Sequence, residues 1–246
     1  MGSGLNTHNQ CTRNRERGTI DSLTWVKTLM RTDSPRIVSI HVGKVAPLGP
    51  EAVPSGFIKH PVAGPVTVTA TGVIGDEQAD LSVHGGADKA VYGYGAANYL
   101  DWRQEYPQHS ALLVPGGLGE NLAIEGLREG DLCVGDIHAI GTTKLQVCQP
   151  RRPCFKFALR FNDKYMPKAM VRTGRSGWYY RVVETGTIRP GDPVELVDRP
   201  NPGFSFARLV EVASGSEVTR AELEQLRDMA GLALDWQRRA REMLAR

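Results

Sequence analysis

No apolar run in this chain of 246 residues approaches the roughly 18 needed to cross a bilayer as a helix, so no membrane anchor is expected. Cysteine is scarce. Cys11, Cys133, Cys148 and Cys154 include no C-x-x-C pair, which argues against a zinc ribbon. Four cysteines in a chain this long do not make a disulfide scaffold either. The six histidines are scattered without an H-x-x-x-H, so a zinc hydrolase centre is not expected. No G-x-G-x-x-G lies between a strand pattern and a helix pattern, which argues against direct use of a nicotinamide dinucleotide. Internal repeats and low-complexity tracts are missing too. The opening stretch MGSGLNTHNQCTRNRERGT is polar and has no h-region, so a signal peptide is not expected and a reducing cytoplasm is the default compartment. Residues 1–35 show no steady period and read as a tail, with Met30 a conceivable alternative start.

Charge of one sign is also lacking overall. The net +3 argues against a dedicated nucleic-acid binder. The distribution is less even than the total: between Lys144 and Arg175 stand nine basic residues and one acid, so the rest of the chain carries −5. A local positive field of that kind suits a small anionic ligand better than a duplex.

What is present is a core-forming composition, 41% hydrophobic, with many short β patterns. In RIVSIHV, Val38, Ile40 and Val42 alternate with Ser39 and His41; in PVTVTATGVIGD, Val66, Val68 and Ala70 alternate with threonines. Such alternation predicts half-buried strands. DLCVG, DIHAIG, KLQVCQ and DPVELVD add further strands, three of them opening on a Gly-Asp step at Gly130-Asp131, Gly135-Asp136 and Gly191-Asp192. Glycine supplies positive φ in a tight turn and aspartate bonds back to local backbone. Many short strands so punctuated predict a mainly β fold with some α: a closed β barrel with peripheral helices over residues 36–204. One helix is expected in AANYLDWRQEYP, stopping at Pro107, and a second in NDKYMPKAMVRTG. After PNPGF the composition shifts. Thr219-x-x-Glu222 is a capping box, Leu223, Leu226 and Ala230 follow at helical spacing, Gly231 is a stop, and Trp236, Ala240, Met243 and Leu244 mark another amphipathic helix. Residues 205–246 therefore read as a small helical module.

Four stretches could carry chemistry. In QPRRPCFKFA, Cys154 follows Pro153 and lies close to Arg151, Arg152 and Lys156. Nearby cations stabilise a thiolate, and proline stiffens the backbone that carries it. Such a sulfur can attack carbon, carry sulfur or bind a soft metal; the competing reading is a buried cysteine beside solvated arginines. In DLSVHGGADKAVYGYG, His84, Gly85, Gly86 and Lys89 could cradle an anion, glycines opening backbone N–H groups and lysine adding a point charge; a plain loop is the alternative. In GGLGENLAIEGL, Asn121 could offer a bidentate hydrogen-bonding amide, or satisfy local backbone. In RTGRSGWYYRV, Arg175 could clamp an anion, and Trp178, Tyr179 and Tyr180 could line a pocket or fill the core. Cys133 and Cys148 lie in apolar alternation and read as core, and Cys11 as a thiol in the tail. A cysteine hydrolase pairing Cys154 with His84 is a weaker idea, because no orienting third group stands out.

Taken in order, GPVTVTATGVIGDEQADLSVHGGADKAVYGY, GENLAIEGL, GDIHAIGTTKLQVCQPRRPCFK and GRSGWYYRV resemble the MOSC family, the molybdenum-cofactor sulfurase C-terminal domain, in its YiiM-like bacterial branch. AGLALDW…RRA resembles that branch's C-terminal three-helix extension, so the resemblance spans roughly residues 36–246. The resemblance implies a β barrel that binds molybdenum cofactor, a pterin dithiolene bearing a phosphate. It implies Cys154 as the protein's sulfur ligand to molybdenum, with His84, Gly85, Gly86, Lys89, Asn121, Arg151 and Arg175 as cofactor-contacting positions. It also implies reduction of small N-hydroxylated compounds, such as base analogues and amidoximes, to amines, with electrons from a flavin-containing reductase partner. The alternative is a non-catalytic carrier of the cofactor or of persulfide sulfur. Pyridoxal phosphate binding is a further family-level term. No nucleic-acid or membrane partner is implied, and a monomer or homodimer is expected.

Overall fold

A computed structural model describes residues 34–80 and 85–246. Cys11, Met30, nearly all of the expected tail and His84 lie outside the described residues. The strands are β1 (Arg36–Val42), β2 (Ala46–Leu48), β3 (Val53–Ser55), β4 (His60–Pro61), β5 (Val66–Thr69), β6 (Gly72–Val73), β7 (Val91–Gly95), β8 (Leu122–Glu125), β9 (Ile137–Ile140), β10 (Thr143–Pro150), β11 (Trp178–Glu184), β12 (Gly186–Ile188) and β13 (Val194–Asp198). The helices are α1 (Asn98–Glu105), α2 (Phe155–Phe161), α3 (Met166–Thr173), α4 (Phe206–Ala213), α5 (Arg220–Asp228) and α6 (Leu234–Leu244).

Eight strands form one sheet in the order β13-β9-β10-β11-β7-β8-β1-β4, antiparallel except for the β7–β8 pair. β12-β5-β6 and β2-β3 form smaller sheets. The expected closed barrel is not found. β13 and β1 touch at a single bridge, Arg36–Pro193, flanked by backbone bonds from Ile37 N to Asp192 O at 2.9 Å and from Val194 N to Pro35 O at 2.8 Å. Two prolines at this seam cannot donate, so a continuous ladder cannot extend across it. The sheet is mixed and open, with the helices around it.

In β5, Val66 and Val68 are buried and Thr67 is exposed, as the alternation predicts, but the strand ends at Thr69 and Ala70 is exposed. In β1 the phase differs. A bulge between Ile37 and Ser39 shifts the register against β8, so Ile37 and Ile40 enter the core while Val38 and Val42 stay half-buried. DLCVG is also not a strand: it holds a 3-10 turn over Glu129–Asp131 and an isolated bridge at Cys133. The Gly-Asp steps behave alike. Asp131, Asp136 and Asp192 each accept from the backbone N–H three residues earlier, those of Arg128 at 2.7 Å, Cys133 at 2.9 Å and Arg189 at 2.9 Å. The anticipated helices appear as α1 and α3, the latter stopped by Gly174 in the left-handed region. The Thr219–Glu222 capping box is formed in both directions.

The C-terminal helices share one apolar cluster with the sheet. Phe206, Leu209, Leu226, Leu232 and Ala240 belong to the same buried group as Ile40, Leu145, Val147 and Tyr180. Docking at the backbone level supports this: Ala233 N donates to Cys148 O at 3.0 Å, at the end of β10.

Two histidines are packed inside. His138 on β9 faces the Tyr180 hydroxyl at 2.8 Å, and His41 on β1 has a buried Nδ1 with no partner. Burial first, and for His41 then Lys59, lowers both pKa values from 6.5 to about 4. In the folded chain both are neutral, whereas an unfolded chain takes up protons from pH 6.5 downward. Stability should therefore fall as pH drops from 6.5 toward 4, by ~1.4 kcal/mol per pH unit for each histidine. Urea unfolding at pH 6.5 and 5.0 checks this, and His138→Gln should remove about half of the slope. A flat profile over that interval would show that these rings are not held neutral.

Candidate functional site

β10 ends at Pro150, and the chain then runs irregularly through Arg151, Arg152 and Pro153 to Cys154. Cys154 has extended backbone, φ −112° and ψ 177°, and its carbonyl accepts from Phe157 N at 2.9 Å as α2 begins. A proline on one side and a helix start on the other hold the thiol, half-buried, at a defined place. The helix itself was not anticipated from FKFALRF. It buries Phe157 and Phe161 and ends at Asn162 in the left-handed region, φ 47°.

The thiol opens on a cavity whose wall also includes Ser55, Phe57, Tyr92 and Tyr179. Lys59, Lys89, Arg151, Arg152 and Lys156 line it against two carboxylates, Asp76 and Glu77. Both carboxylates are already committed. Asp76 accepts from Gly43 N at 2.8 Å and Asn121 Nδ2 at 3.0 Å, and forms an ion pair with Lys59. Glu77 accepts from Lys44 Nζ at 2.8 Å and Val45 N at 2.9 Å, which lowers its pKa. The cavity is therefore electropositive.

Arg151 is buried beneath it. Its guanidinium donates to Leu118 O and lies 4.9 Å from the Phe57 ring centroid, 4.9 Å from Tyr92 and 5.3 Å from Phe157. Weak hydration and a flat π surface let guanidinium tolerate such a place. Lys59 is the second buried cation, its side chain 7% exposed. Burial lowers its pKa, and Asp76 opposes that.

Of the positions singled out from sequence, Cys154, Gly85, Lys89, Arg151 and Asn121 come together around this cavity. Gly86 is exposed at φ 82° and starts the 3-10 turn Ala87–Lys89 that presents Lys89. Asn121 is a brace. Its Oδ1 accepts from Tyr92 N at 3.0 Å, and its Nδ2 donates to His41 O at 3.2 Å as well as to Asp76. These bonds fill the local role that the sequence offered as the alternative, and the same side chain lines the cavity. Arg175 is elsewhere. It lines a separate cavity with Arg128 and Glu129, donates to Glu105 Oε1 at 2.6 Å, and lies 5.3 Å from the Trp102 ring centroid. The local Arg-Ser-Gly pattern could not reveal that α1 supplies its carboxylate partners. Of the three aromatics, Trp178 and Tyr180 are core and Tyr179 reaches the cavity. Cys133 and Cys148 are buried, and burial pushes both thiols up.

Sequence reasoning missed Lys59, Asp76, Phe57 and Tyr92 in the cavity wall. Asp76 follows Gly75 in one more Gly-Asp step and could have been noticed on that ground. Lys59, in the unpatterned GFIKHP, carried no signal.

Comparison with known proteins fits this arrangement. The family model described as "MOSC domain" matches residues 80–195. The chain is 35% identical over 201 residues to protein YiiM of Escherichia coli, covering 82% of this chain and 89% of that one. A protein named "Reductase" from Gibberella moniliformis is 39% identical over 205 residues, and this chain spans only 36% of its length. The crystal structure of YiiM from Geobacillus stearothermophilus superposes with a TM-score of 0.72 at 34% identity, covering 85% of this chain and 99% of that one. The chain belongs to the YiiM-like branch of the MOSC family.

Proposed function

We propose that this protein binds molybdenum cofactor in the Cys154 cavity and reduces small N-hydroxylated compounds, base analogues and amidoximes among them, to amines. The observation that carries the reading is the pairing of one preorganised thiol with five cations around a single cavity. A soft metal favours thiolate, and a phosphate favours clustered lysine and arginine. The donor set therefore fits a pterin dithiolene with a phosphate tail. Among the described residues no group of three or more His, Cys, Asp or Glu could hold a bare ion, so a metal on Cys154 would arrive with its other ligands.

In this reading Cys154 Sγ is the protein's ligand, and Lys89, Arg152 and Lys156 hold the anionic tail. Arg151, fixed beneath the cavity by three rings, supplies a positive floor that needs no reorganisation. The cofactor, when bound, supplies the two-electron chemistry. The net reaction takes R–NH–OH, two electrons and two protons to R–NH2 and water, breaking the N–O bond. Lys59 Nζ holds a proton in the cavity wall. Because burial lowers its pKa, it gives that proton up more readily than a surface lysine. The electrons come from a flavin-containing reductase partner. The Gibberella protein named reductase is far longer than this chain, which accords with a MOSC unit working beside other machinery. A carrier of cofactor or persulfide is the competing reading; it predicts no turnover of an N-hydroxylated purine with reductant present.

The decisive measurement is molybdenum and pterin content after purification from a host that makes the cofactor. Cys154→Ser should lose most of its molybdenum while keeping its fold; equal retention would falsify the ligand assignment. A second test concerns the buried pair. Asp76→Ala removes the partner of a buried lysine and should destabilise by about 3–5 kcal/mol in urea unfolding. The double variant with Lys59→Met should recover much of that loss, and strictly additive losses would show that the two side chains do not act as a pair.

A further inference from the structure

The sequence has no dinucleotide-binding motif, so the two electrons of the proposed reaction enter across the protein's surface. The surface nearest the thiol in the chain is strongly charged. Residues 155–173, which follow Cys154 directly and hold α2 and α3, carry five cations and a single acid. That acid is already committed. Asp163 accepts from Tyr165 N at 2.8 Å and pairs with His109 Nε2 at 3.0 Å.

Helix phase sorts these cations onto one face. α3 turns Met166, Ala169 and Met170 to the interior, while Lys168, Val171 and Arg172 are exposed on the opposite side. Lys164 and Tyr165 extend that exposed stripe ahead of the first turn. Tyr165 is 61% exposed and Val171 40%, so apolar ground lies between the charges. The Lys164 ammonium lies 5.2 Å from the Tyr165 ring centroid, and neither Lys164 nor Lys168 forms an ion pair with a described residue. Arg172 reaches Glu105 at 3.6 Å. A depression lined by Pro150, Arg152, Pro153, Val171 and Ala213 joins the stripe to the loop that carries Cys154. Phe155, bonded directly to Cys154, is 62% exposed. The charged face thus begins one residue from the thiol.

We infer that the α3 stripe and the depression beside it form the docking surface of the electron donor, a flavin protein with an acidic rim. The inference rests on the proposed reductase reading and adds to it where the donor binds. Complexes between redox proteins bury little surface and depend on electrostatic steering. Lys164, Lys168 and Arg152 supply the positive field for an acidic rim, and Tyr165 with Val171 supplies an apolar centre. A nucleic-acid duplex suits this face less, because it asks for a longer track of phosphate contacts than one short helix offers. Each encounter passes one electron, a flavin hydroquinone becoming the semiquinone. Two encounters supply the two electrons that, with two protons, break the N–O bond and release water.

Calorimetric titration of the full chain with oxidised flavodoxin, an acidic FMN protein, needs neither turnover nor bound cofactor. Binding should be measurable at about 20 mM salt and should weaken steeply toward about 200 mM. Lys164→Glu combined with Lys168→Glu should weaken it about tenfold or more. Lys144→Glu combined with Arg220→Glu changes the net charge equally on β10 and α5 and should leave binding unchanged. Tyr165→Ala should weaken binding several-fold at every salt concentration. With loaded protein, the Lys164 and Lys168 reversals should slow flavodoxin-driven turnover of an N-hydroxylated purine about tenfold, and should not slow turnover driven by reduced methyl viologen. No binding of flavodoxin to wild type at low salt overturns the docking surface. Equal weakening by the two charge-reversal pairs overturns it as well, and so does tighter binding of a DNA duplex than of flavodoxin. Charge-sensitive flavodoxin binding without viologen-driven turnover removes the reductase reading and leaves a surface for an acidic protein. Viologen-driven turnover without flavodoxin binding does the reverse.

Discussion

Like charges crowded around one cavity repel, and this cavity holds five cations against two carboxylates that already serve other partners. Nothing about packing requires that imbalance. A fold selected for stability alone would place acids there or leave the cations in water. The chain instead stabilises it piece by piece. Arg151 is distributed over three ring faces and a carbonyl, Lys59 is given Asp76, and Lys156 donates to Pro54 O at 2.9 Å. The Arg151 and Lys156 contacts fix a cation without adding a negative charge, whereas Asp76 offsets Lys59. Excess positive potential, held rigidly and facing a thiol, is the constraint from which the functional reading follows.

The same constraint explains the scaffolding behind the cavity. Asp76, the partner of Lys59, also accepts from Gly43 N, Asn121 Nδ2 and, at 3.3 Å, Gln78 Nε2. Asn121 in turn ties β1 to β7 through His41 O and Tyr92 N, so the brace for one carboxylate is also a strand clamp. Its neighbour Glu120 is buried, with Oε1 accepting from the Tyr99 hydroxyl at 2.5 Å and Gly116 N at 2.6 Å while Oε2 has no partner. Burial raises its pKa. The Gly-Glu-Asn stretch thus braces the wall of the cavity that Asn121 also lines.

What could be read from the chain, and what could not, divides by range. Cys154 stood out because its cations and prolines are sequence neighbours, and Gly85 and Lys89 because glycine loops with a nearby lysine carry a local meaning. The family resemblance followed from the order of such stretches. Lys59 and Asp76 escaped because their role exists only once residues 59, 76 and 121 meet from three separate connecting segments. Arg175 misled for the same reason, its partners lying on α1 some 70 residues away. The barrel expectation failed on a detail that periodicity cannot see: the lone bridge at the seam pairs Arg36 with Pro193, and Pro35 and Pro193 beside it have no N–H to donate. In β1 an unforeseen bulge brings Ile37 inward beside Ile40 and leaves Val38 and Val42 half-buried.

Residues 205–246 form helices that pack into the same core as the sheet. The helices contribute to the same apolar cluster as β9, β10 and β11, and α6 starts on hydrogen bonds to Cys148 O and Asp88. Removing residues 205–246 would expose the back of β10, the strand that ends beside Cys154, and release the aspartate that orders the Lys89 turn. The placement of the thiol and of the nearest loop cation therefore depends on residues some 80 positions further along the chain than Cys154. A site whose geometry is set from that distance gains precision only if the distant element is itself rigid. That requirement is met at Leu234, where backbone, carboxylate and guanidinium converge on Asp88.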